Sequence, residues 1–162
     1  GVLFIGLMID EHGDPYVVEF NVRFGDPECQ VTLPLIATDM YELLHGAATD
    51  RLHEVPLEIH DSVALTVVLA SEGYPASPIK GRPIDGLSEV LDGEAYGRAW
   101  VNFAGVALGD EGQYIASGGR VLSCTAQSDD LTSAHDAAYE LLEQLALEGA
   151  HHRRDIGHRA ME

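Results

Sequence analysis

The stretch YVVEFNVRFGDPECQ, residues 16–30, carries the pattern on which the interpretation of this chain depends. Alternate side chains of a β-strand lie on one face, so Glu19 and Asn21 share a face and Val18 and Phe20 lie on the opposite, apolar one. If the strand continues for one more step, Arg23 joins the polar face. Oxygen donors at this spacing can bind one hard cation such as Mg²⁺, although an edge strand facing water gives the same alternation.

The residues before this stretch predict a hairpin. Residues 2–10, VLFIGLMID, are apolar on both faces and predict a strand that is buried on both sides. A turn cluster with Gly13 and Pro15 separates this segment from the strand at 16–21. Two strands joined by a short Gly/Pro-bearing loop are typical of an antiparallel hairpin.

The following residues predict a loop, a helix and a linker. Residues 22–35 have no clear hydrophobic period and predict an irregular loop. Thr38 is expected to cap a helix that ends near Ala48. Residues 49–61 are polar and interrupted by proline, which makes them the best candidate linker.

The remainder of the chain, residues 62–162, consists mainly of short strand-like segments followed by a helix. SVALTVVLA, residues 62–70, predicts a strand, and glycine-separated segments predict a small, mostly antiparallel β unit, with strands near 96–103, 104–108, 113–117 and 119–126. Asp130 is expected to cap a helix that runs to about Leu147 and ends at Gly149. The predicted fold class is therefore α+β.

Composition excludes several classes of function. The net charge is −18, with Lys80 as the only lysine, and such a surface repels nucleic-acid backbones. The longest apolar runs are too short to span a bilayer. Cys29 and Cys124 lie far apart without metal-ligand spacing, which favours two reduced thiols in a cytosolic protein.

The sequence closely resembles the glycinamide ribonucleotide synthetase family. RFGDPECQ (Arg23–Gln30) satisfies at every position the family's Arg-aromatic/aliphatic-Gly-Asp-Pro-Glu-x-Gln pattern, which is long and specific. The resemblance continues in order through three further segments: VVLASEGYP at 67–75, GGRVLSCTA at 118–126 and RRDIGHRA at 153–160. The resemblance implies an ATP-grasp ligase. Enzymes of this family join phosphoribosylamine and glycine and hydrolyse ATP to ADP and phosphate.

The resemblance implies roles for the residues of the signature. Glu19 and Asn21 correspond to the metal ligands that hold Mg²⁺ (or Mn²⁺) at the nucleotide phosphates. Arg23 matches an arginine that related ligases place near the acyl phosphate, here glycyl phosphate, and is the candidate catalytic residue. Asp26 and Glu28 are candidate substrate-binding residues that orient the glycine ammonium or the attacking amine, or they only cap the loop.

The C-terminal tail also carries a candidate site. Arg153 and Arg154 precede Gly157, and related purine-pathway enzymes hold a ribose phosphate with a basic segment of this kind. The alternative is a pair of surface arginines that balance local acidity. The chain departs from the family pattern at 102–106, NFAGV in place of Phe-His-Ala-Gly-Thr, and at Ser117, where relatives usually have Asn.

The expected organisation has two parts: residues 1–57 form the C-terminal portion of an ATP-grasp domain, and residues 58–162 form a closing domain with a small antiparallel sheet and a packed helix. The chain is expected to be a cytoplasmic ligase fragment. It would need N-terminal domains for activity, with ATP, glycine and phosphoribosylamine as ligands. Two alternatives remain open: another ATP-grasp carboxylate–amine ligase, or a non-catalytic binding domain.

Overall fold

The structure is a computed structural model, and it describes residues 1–93 and 98–161. The chain divides into two compact units, Gly1–His60 and Asp61–Glu162. Helices combine with antiparallel sheets, which confirms the predicted α+β class. Within the described ranges, no helix has both the length and the apolar character that crossing a bilayer requires.

The first unit begins with the predicted hairpin. Strands β1 (Phe4–Ile9) and β2 (Pro15–Asn21) pair antiparallel and form a sheet of their own. In the register, Gly6 lies opposite Glu19, and an irregularity separates Gly6 from Leu7.

The prediction that residues 2–10 are buried on both sides is wrong for this chain. Leu7, Met8 and Phe20 are 52%, 63% and 65% exposed. The sheet has only two strands, and no apolar side chain is buried anywhere in residues 1–60, all of which the structure describes. The apolar sequence of residues 2–10 indicates that both faces of the strand are suited to burial. It does not indicate which surface would cover them.

Residues 22–35 are more regular than predicted. Helix α1 (Cys29–Thr32) runs into a 3₁₀ turn at Leu33–Leu35. The carbonyl of Glu28 accepts bonds from the amide of Thr32, at 3.1 Å, and from its hydroxyl, at 3.2 Å. A helix of four residues is too short to produce a hydrophobic period, so it could not be recognised from the pattern of residues.

Helix α2 (Met40–Ala48) is capped by Asp39 and not by Thr38 as predicted. The Asp39 carboxylate accepts a 2.7 Å bond from the amide of Tyr41. The Thr38 hydroxyl instead donates to the Pro56 carbonyl at 2.8 Å and accepts from the Glu58 amide at 2.7 Å. The predicted linker contains a 3₁₀ turn at Leu52–Glu54.

The second unit is built on a three-stranded sheet. Its elements are β3 (Val63–Ala70), α3 (Leu87–Asp92), β4 (Ala99–Phe103), β5 (Val106–Leu108), β6 (Tyr114–Ala116), β7 (Arg120–Ser128), α4 (Leu131–Glu143) and α5 (His158–Met161). The sheet has the order β3–β7–β4 with antiparallel pairing throughout, and β5–β6 is a separate hairpin. The four predicted β segments are thus found as strands, although residues 96–97 lie outside the described part. Helix α3 was not predicted.

Helix α4 begins where the sequence indicates and ends early. The Asp130 carboxylate accepts a 2.9 Å bond from the amide of Ser133, as the capping prediction requires. The helix stops at Glu143 because the chain turns to pair Ala146 with Asp85, at 2.9 and 3.0 Å. Gly149 therefore does not end the helix, but it adopts a positive φ of 68° in the later loop.

The core of the second unit lies between the sheet and α4. Apolar side chains from β3, β7 and α4 are 5% exposed or less, among them Leu65, Val67, Leu69, Leu122, Ala134, Ala138, Leu141 and Leu142. A polar chain crosses the three strands. The Asn102 amide donates to the Thr125 hydroxyl at 2.7 Å, and that hydroxyl lies 2.7 Å from the hydroxyl of Thr66. The departure at Asn102 is thus accommodated by hydrogen bonding.

Candidate functional site

The first candidate site is the pair of polar side chains on β2. The amide nitrogen of Asn21 donates a 2.9 Å bond to Oε1 of Glu19, so the two side chains converge as the alternation indicates. A Cβ added to the facing Gly6 would lie 3.3 Å from Cγ of Glu19, so a glycine there leaves room for the carboxylate stem. The bond uses the amide nitrogen of Asn21, and its carbonyl oxygen stays a potential ligand.

This pair fits a metal ion that is shared with a bound phosphate. Among residues 1–93 and 98–161, no three His, Cys, Asp or Glu side chains are grouped closely enough to enclose a metal ion. Mg²⁺ usually takes only one or two protein carboxylates and completes its shell with water and phosphate oxygens. One carboxylate beside one amide oxygen is such a donor set.

Arg23 does not continue the polar face of β2. The strand ends at Asn21 because its pairing partner, Phe4, is the first residue of β1. The chain bends at residues 22–23, and the Arg23 guanidinium donates a 2.8 Å bond to the neighbouring carbonyl of Phe24. The expectation that the extended conformation carries Arg23 onto the same face is therefore wrong, and its catalytic role stays a prediction.

The signature loop is held by its own side chains. Gln30 donates to the Asp26 carboxylate at 3.2 Å, and its amide oxygen lies 3.0 Å from the Cys29 sulfur. The Glu28 carboxylate lies over Gly25, where an added Cβ would be 2.5 Å from Oε2. A side chain at position 25 would therefore require the Glu28 side chain to move. The Glu28 side chain does not cap helix α1.

The second candidate site is the tail that follows α4. The hydroxyl of Tyr139 donates a 2.7 Å bond to the carbonyl of Arg153 and lies 3.4 Å from the amide of Ile156. Gly157 has a φ of 81°, and an added Cβ would lie 2.8 Å from Cδ1 of Leu65. These contacts fix both ends of the turn to the core of the unit.

Within this turn, Arg153 and Asp155 form a two-point ion pair. Nε of Arg153 donates to Oδ1 of Asp155 at 2.9 Å, and Nη2 donates to Oδ2 at 2.5 Å. The hydrogen bond from Arg153 holds the pKa of the Asp155 carboxyl below its usual range. The same bond raises the pKa of Arg153.

A cavity of about 460 Å³ adjoins this ion pair. Its basic lining comes from Arg153, His158 and Arg159. Arg154, the other arginine predicted to bind phosphate, is not among the lining residues in the described part of the tail. Sequence reasoning missed Arg159, although the segment RRDIGHRA displays it six residues after Arg153.

A second cavity of about 480 Å³ lies between the end of α4 and the loop after it. Asp85, Glu143 and Glu148 line it together with His152. Burial, followed by the charge of Arg154, lowers the pKa of His152. The acidic lining makes this cavity unsuitable for a phosphate.

Comparison with protein families gives two matches, one within each compact unit, and neither match includes residues 30–63. The phosphoribosylglycinamide synthetase C domain matches residues 64–159, and the ATP-grasp (A) domain of the same enzyme matches residues 1–29. The first match covers most of the second unit, and the second match contains the whole hairpin with Glu19 and Asn21.

Individual relatives agree with this result. The chain is 46% identical to a phosphoribosylamine–glycine ligase of Mycobacterium bovis and covers 36% of that protein. It is 44% identical to the trifunctional purine biosynthetic protein adenosine-3 of Gallus gallus, of which it covers 16%. Both matches extend over 99% or more of this chain.

A solved structure also resembles the chain. The crystal structure of phosphoribosylamine–glycine ligase from Thermotoga maritima matches with a TM-score of 0.73 and 37% identity, over 94% of this chain and 36% of that one. The chain thus spans little more than a third of the ligases that it matches. The hairpin with its paired oxygen donors, the self-packed signature loop and these matches together show that the chain belongs to the phosphoribosylglycinamide synthetase family.

Proposed function

We propose that this chain is the C-terminal part of an ATP-dependent ligase that joins glycine to phosphoribosylamine in purine biosynthesis. The observation that carries the proposal is the convergence of Glu19 and Asn21, 2.9 Å apart, immediately before the family signature. The names of the relatives support the reaction. Residues 1–57 are assigned to the ATP-grasp domain and residues 58–162 to the closing domain.

Glu19 and Asn21 hold the divalent cation that accompanies ATP, Mg²⁺ or Mn²⁺. A cation held by these two side chains would neutralise charge on the nucleotide phosphates. The short bond between the two side chains keeps the carboxylate and the amide oxygen on one side of the strand before the cation arrives. Glu19 provides the negative charge, and Asn21 orients it while adding a neutral oxygen donor.

Arg23 stabilises negative charge that develops when glycine is activated as glycyl phosphate. Its guanidinium is exposed and, among the residues that the structure describes, bonds to the neighbouring Phe24 carbonyl alone, so most of its five N–H donors remain available for an anion. Asp26 and Glu28 follow Arg23 by three and five residues, and both are exposed. Their carboxylates provide negative charge for the glycine ammonium or for the attacking amine.

Arg153 or Arg154 binds the ribose phosphate of phosphoribosylamine. Charge-assisted hydrogen bonds from a guanidinium fork suit phosphate oxygens, and the cavity beside Arg153 provides space for them. The enzyme is assigned to the cytoplasm, because nothing in its proposed reaction requires a membrane and its thiols are unpaired. The net charge of −18 opposes binding to nucleic acid.

The decisive experiment changes the metal pair in the longer protein that contains this chain. Glu19→Gln keeps the shape of the side chain and removes its charge, and it is expected to lower turnover at least about tenfold, with partial recovery at high Mg²⁺. Val18→Ile, on the opposite face of the same strand, is the control and should leave turnover unchanged. Near-normal turnover of Glu19→Gln at low Mg²⁺ contradicts the metal assignment.

The tail is tested by the three Michaelis constants. Arg153→Ala and Arg154→Ala are compared with wild type. The variant that lacks the phosphate-binding arginine should have a KM for phosphoribosylamine that is raised by about tenfold to a hundredfold. The constants for ATP and glycine should stay unchanged. If all three constants rise together, the tail supports the fold and does not bind the phosphate.

Substrate choice separates this ligase from other ATP-grasp enzymes. The longer protein should form product only with glycine and phosphoribosylamine in a panel of amino acids and amines. Preference for a different acid or amine would favour another carboxylate–amine ligase.

A further inference from the structure

Basic residues are concentrated in the tail of an acidic chain. The sequence contains nine lysines and arginines against 27 aspartates and glutamates, and three of the nine, Arg153, Arg154 and Arg159, lie within seven residues. Two of these three line the 460 Å³ cavity, together with His158. A local group of guanidinium ions can bind an anion even when the surrounding field is unfavourable.

Asp155 occupies only one edge of the Arg153 guanidinium. The carboxylate accepts from Nε and Nη2, which leaves both N–H groups of Nη1 and one of Nη2 available. These remaining donors lie at the outer end of the fork. The ion pair therefore orients Arg153 without using up its capacity for a second anion.

Arg159 is the second guanidinium on the cavity. Within the part of the tail that the structure describes, no hydrogen bond or ion pair engages its side chain, in contrast to Arg153. It lies beyond the turn at Gly157, and Arg153 lies before it. Both arginines thus line the same cavity although they lie before and after Gly157 in the sequence.

The turn that separates them is fixed to the core. The Tyr139 hydroxyl bonds to the carbonyl of Arg153 and to the amide of Ile156, and Gly157 packs against Leu65 with a positive φ of 81°, which disfavours any side chain there. Because these contacts come from α4 and β3, the backbone that carries both arginines is ordered before a ligand binds. Preorganisation of this kind lowers the entropic cost of binding.

We propose that Arg159 is a phosphate-binding residue and that Arg153 and Arg159 form a two-arginine clamp for a phosphate monoester. A phosphate dianion presents three terminal oxygens, which are enough acceptors for two guanidinium groups that approach from different directions. This inference rests on the proposed function, and it adds Arg159 to the site while placing Arg154 outside the clamp.

The clamp can be tested on this chain with ribose 5-phosphate as the probe. The arginine side-chain NMR signals are followed during titration of wild type, Arg159→Ala, Arg159→Lys and Arg98→Ala. Arg98 is the matched control, since it is an exposed arginine of the same unit that pairs with Asp129 at 3.2 Å, away from the tail. Its loss removes the same charge from the unit.

We expect Arg159→Ala to weaken ribose 5-phosphate binding by about tenfold or more, Arg159→Lys to recover part of the loss, and Arg98→Ala to stay within about twofold of wild type. Ribose without phosphate should cause no shifts. Amide spectra of each variant establish that the unit remains folded.

The possible failures have different meanings. If Arg159→Ala binds like Arg98→Ala while Arg153→Ala binds weakly, the two-arginine clamp is wrong and the proposed tail site stands. If wild type does not respond to ribose 5-phosphate or to inorganic phosphate, both the clamp and the tail site are overturned. The metal assignment of Glu19 and Asn21 is unaffected by either result.

Discussion

The hairpin of the first unit and strand β3 of the second unit have similarly apolar sequences and opposite environments. In β1, FIGLMI, Leu7 and Ile9 are 52% and 56% exposed, whereas in β3, VALTVVLA, Val67 and Leu69 are 0% and 5% exposed. Strand β3 pairs with β7 and is covered by α4, while β1 has β2 alone. The difference lies in what covers each strand and not in the strands themselves.

This contrast shows which part of the chain is self-sufficient. The second unit buries apolar side chains from three strands and a helix, as an independently stable domain must. In the first unit, local hydrogen bonds and the hairpin ladder maintain the shape while large apolar side chains face solvent. A surface of this kind is typical of one that another protein surface covers.

The two cysteines give the largest expected difference. Burial raises the pKa of Cys124 to about 12 from an ordinary value of 9.0, so its thiolate fraction falls by about a thousandfold. Cys29 is only partly buried. At neutral pH a thiol reagent should label Cys29 in the native chain and Cys124 only after denaturation, as followed by mass spectrometry of the two peptides. Rapid labelling of both sites would mean that the second unit opens readily.

Truncation of apolar side chains tests the same contrast in stability. Leu141→Ala removes a side chain that is 1% exposed and should lower the free energy of unfolding by about 2–5 kcal/mol, as measured in urea through Trp100 fluorescence. Leu108→Ala, at 66% exposure in the same unit, is the control and should change it by less than about 0.5 kcal/mol.

In the hairpin, Leu7→Ala should change amide-exchange protection only slightly. If Leu7→Ala lowered the free energy of amide exchange in the hairpin by as much as Leu141→Ala lowers the free energy of unfolding, Leu7 would be covered in solution.

Two glycines sharpen the comparison at the backbone. A Cβ on Gly105 would lie 2.7 Å from Cα of Gly118 and 2.8 Å from the carbonyl oxygen of Arg120, neither of which can rotate away. Gly105→Ala should therefore cost about 1–3 kcal/mol in thermal unfolding. In Gly6→Ala the nearest atom is Cγ of the flexible Glu19 side chain. The free-energy cost should therefore be only a few tenths of the cost of Gly105→Ala. Equal costs for the two variants would contradict the close backbone packing.

Tyr139→Phe is expected to have a smaller effect. It removes the hydroxyl that bonds to Arg153 and Ile156, and should lower stability by about 0.5–1.5 kcal/mol. Tyr41→Phe in the first unit is the control, because Tyr41 is 71% exposed and its ring stacks on His45. Identical melting temperatures for the two variants would remove Tyr139 as the anchor of the tail.

The smallest expected effect is a mild acid destabilisation through His152. Burial lowers its pKa in the folded state, with Arg154 and His151 acting in the same direction and Glu143 opposing them. The unfolded chain therefore binds the proton first, and stability falls as pH drops below the ordinary value of 6.5 until the lower folded pKa is reached. His152→Gln should flatten the melting temperature over this range. An unchanged pH dependence in the variant would assign the effect to other groups.

Features determined by nearby residues could be predicted from the sequence. The Asp130 cap, the hairpin turn and the shared face of Glu19 and Asn21 depend on spacings of two to a few residues. The end of β2 could not be predicted, because it depends on where β1 begins, and this removed Arg23 from the polar face. The end of α4 depends on Asp85, which is distant in the sequence.

The tail shows the same limit at a site. The sequence indicated the arginine pair 153–154, but adjacency could not show that Asp155 takes one edge of Arg153 or that Arg159 shares the cavity. Both facts depend on a turn that is anchored by Tyr139 of α4. The exposure of the hairpin could likewise not be predicted, because the sequence of an apolar strand does not show which surface packs against it.

The strand order β3–β7–β4 has a consequence for the moment at which the second unit can fold during synthesis. Strand β3 is made first, yet its neighbour β7 follows much later, and the bonded hydroxyls of Thr66 and Thr125 are 59 residues apart. Among the described residues β4 also pairs only with β7, so neither outer strand has a partner until β7 (Arg120–Ser128) has left the ribosome. The edge of β3 therefore stays unpaired while residues 71–119 are made, and the closing step is a slow, long-range one.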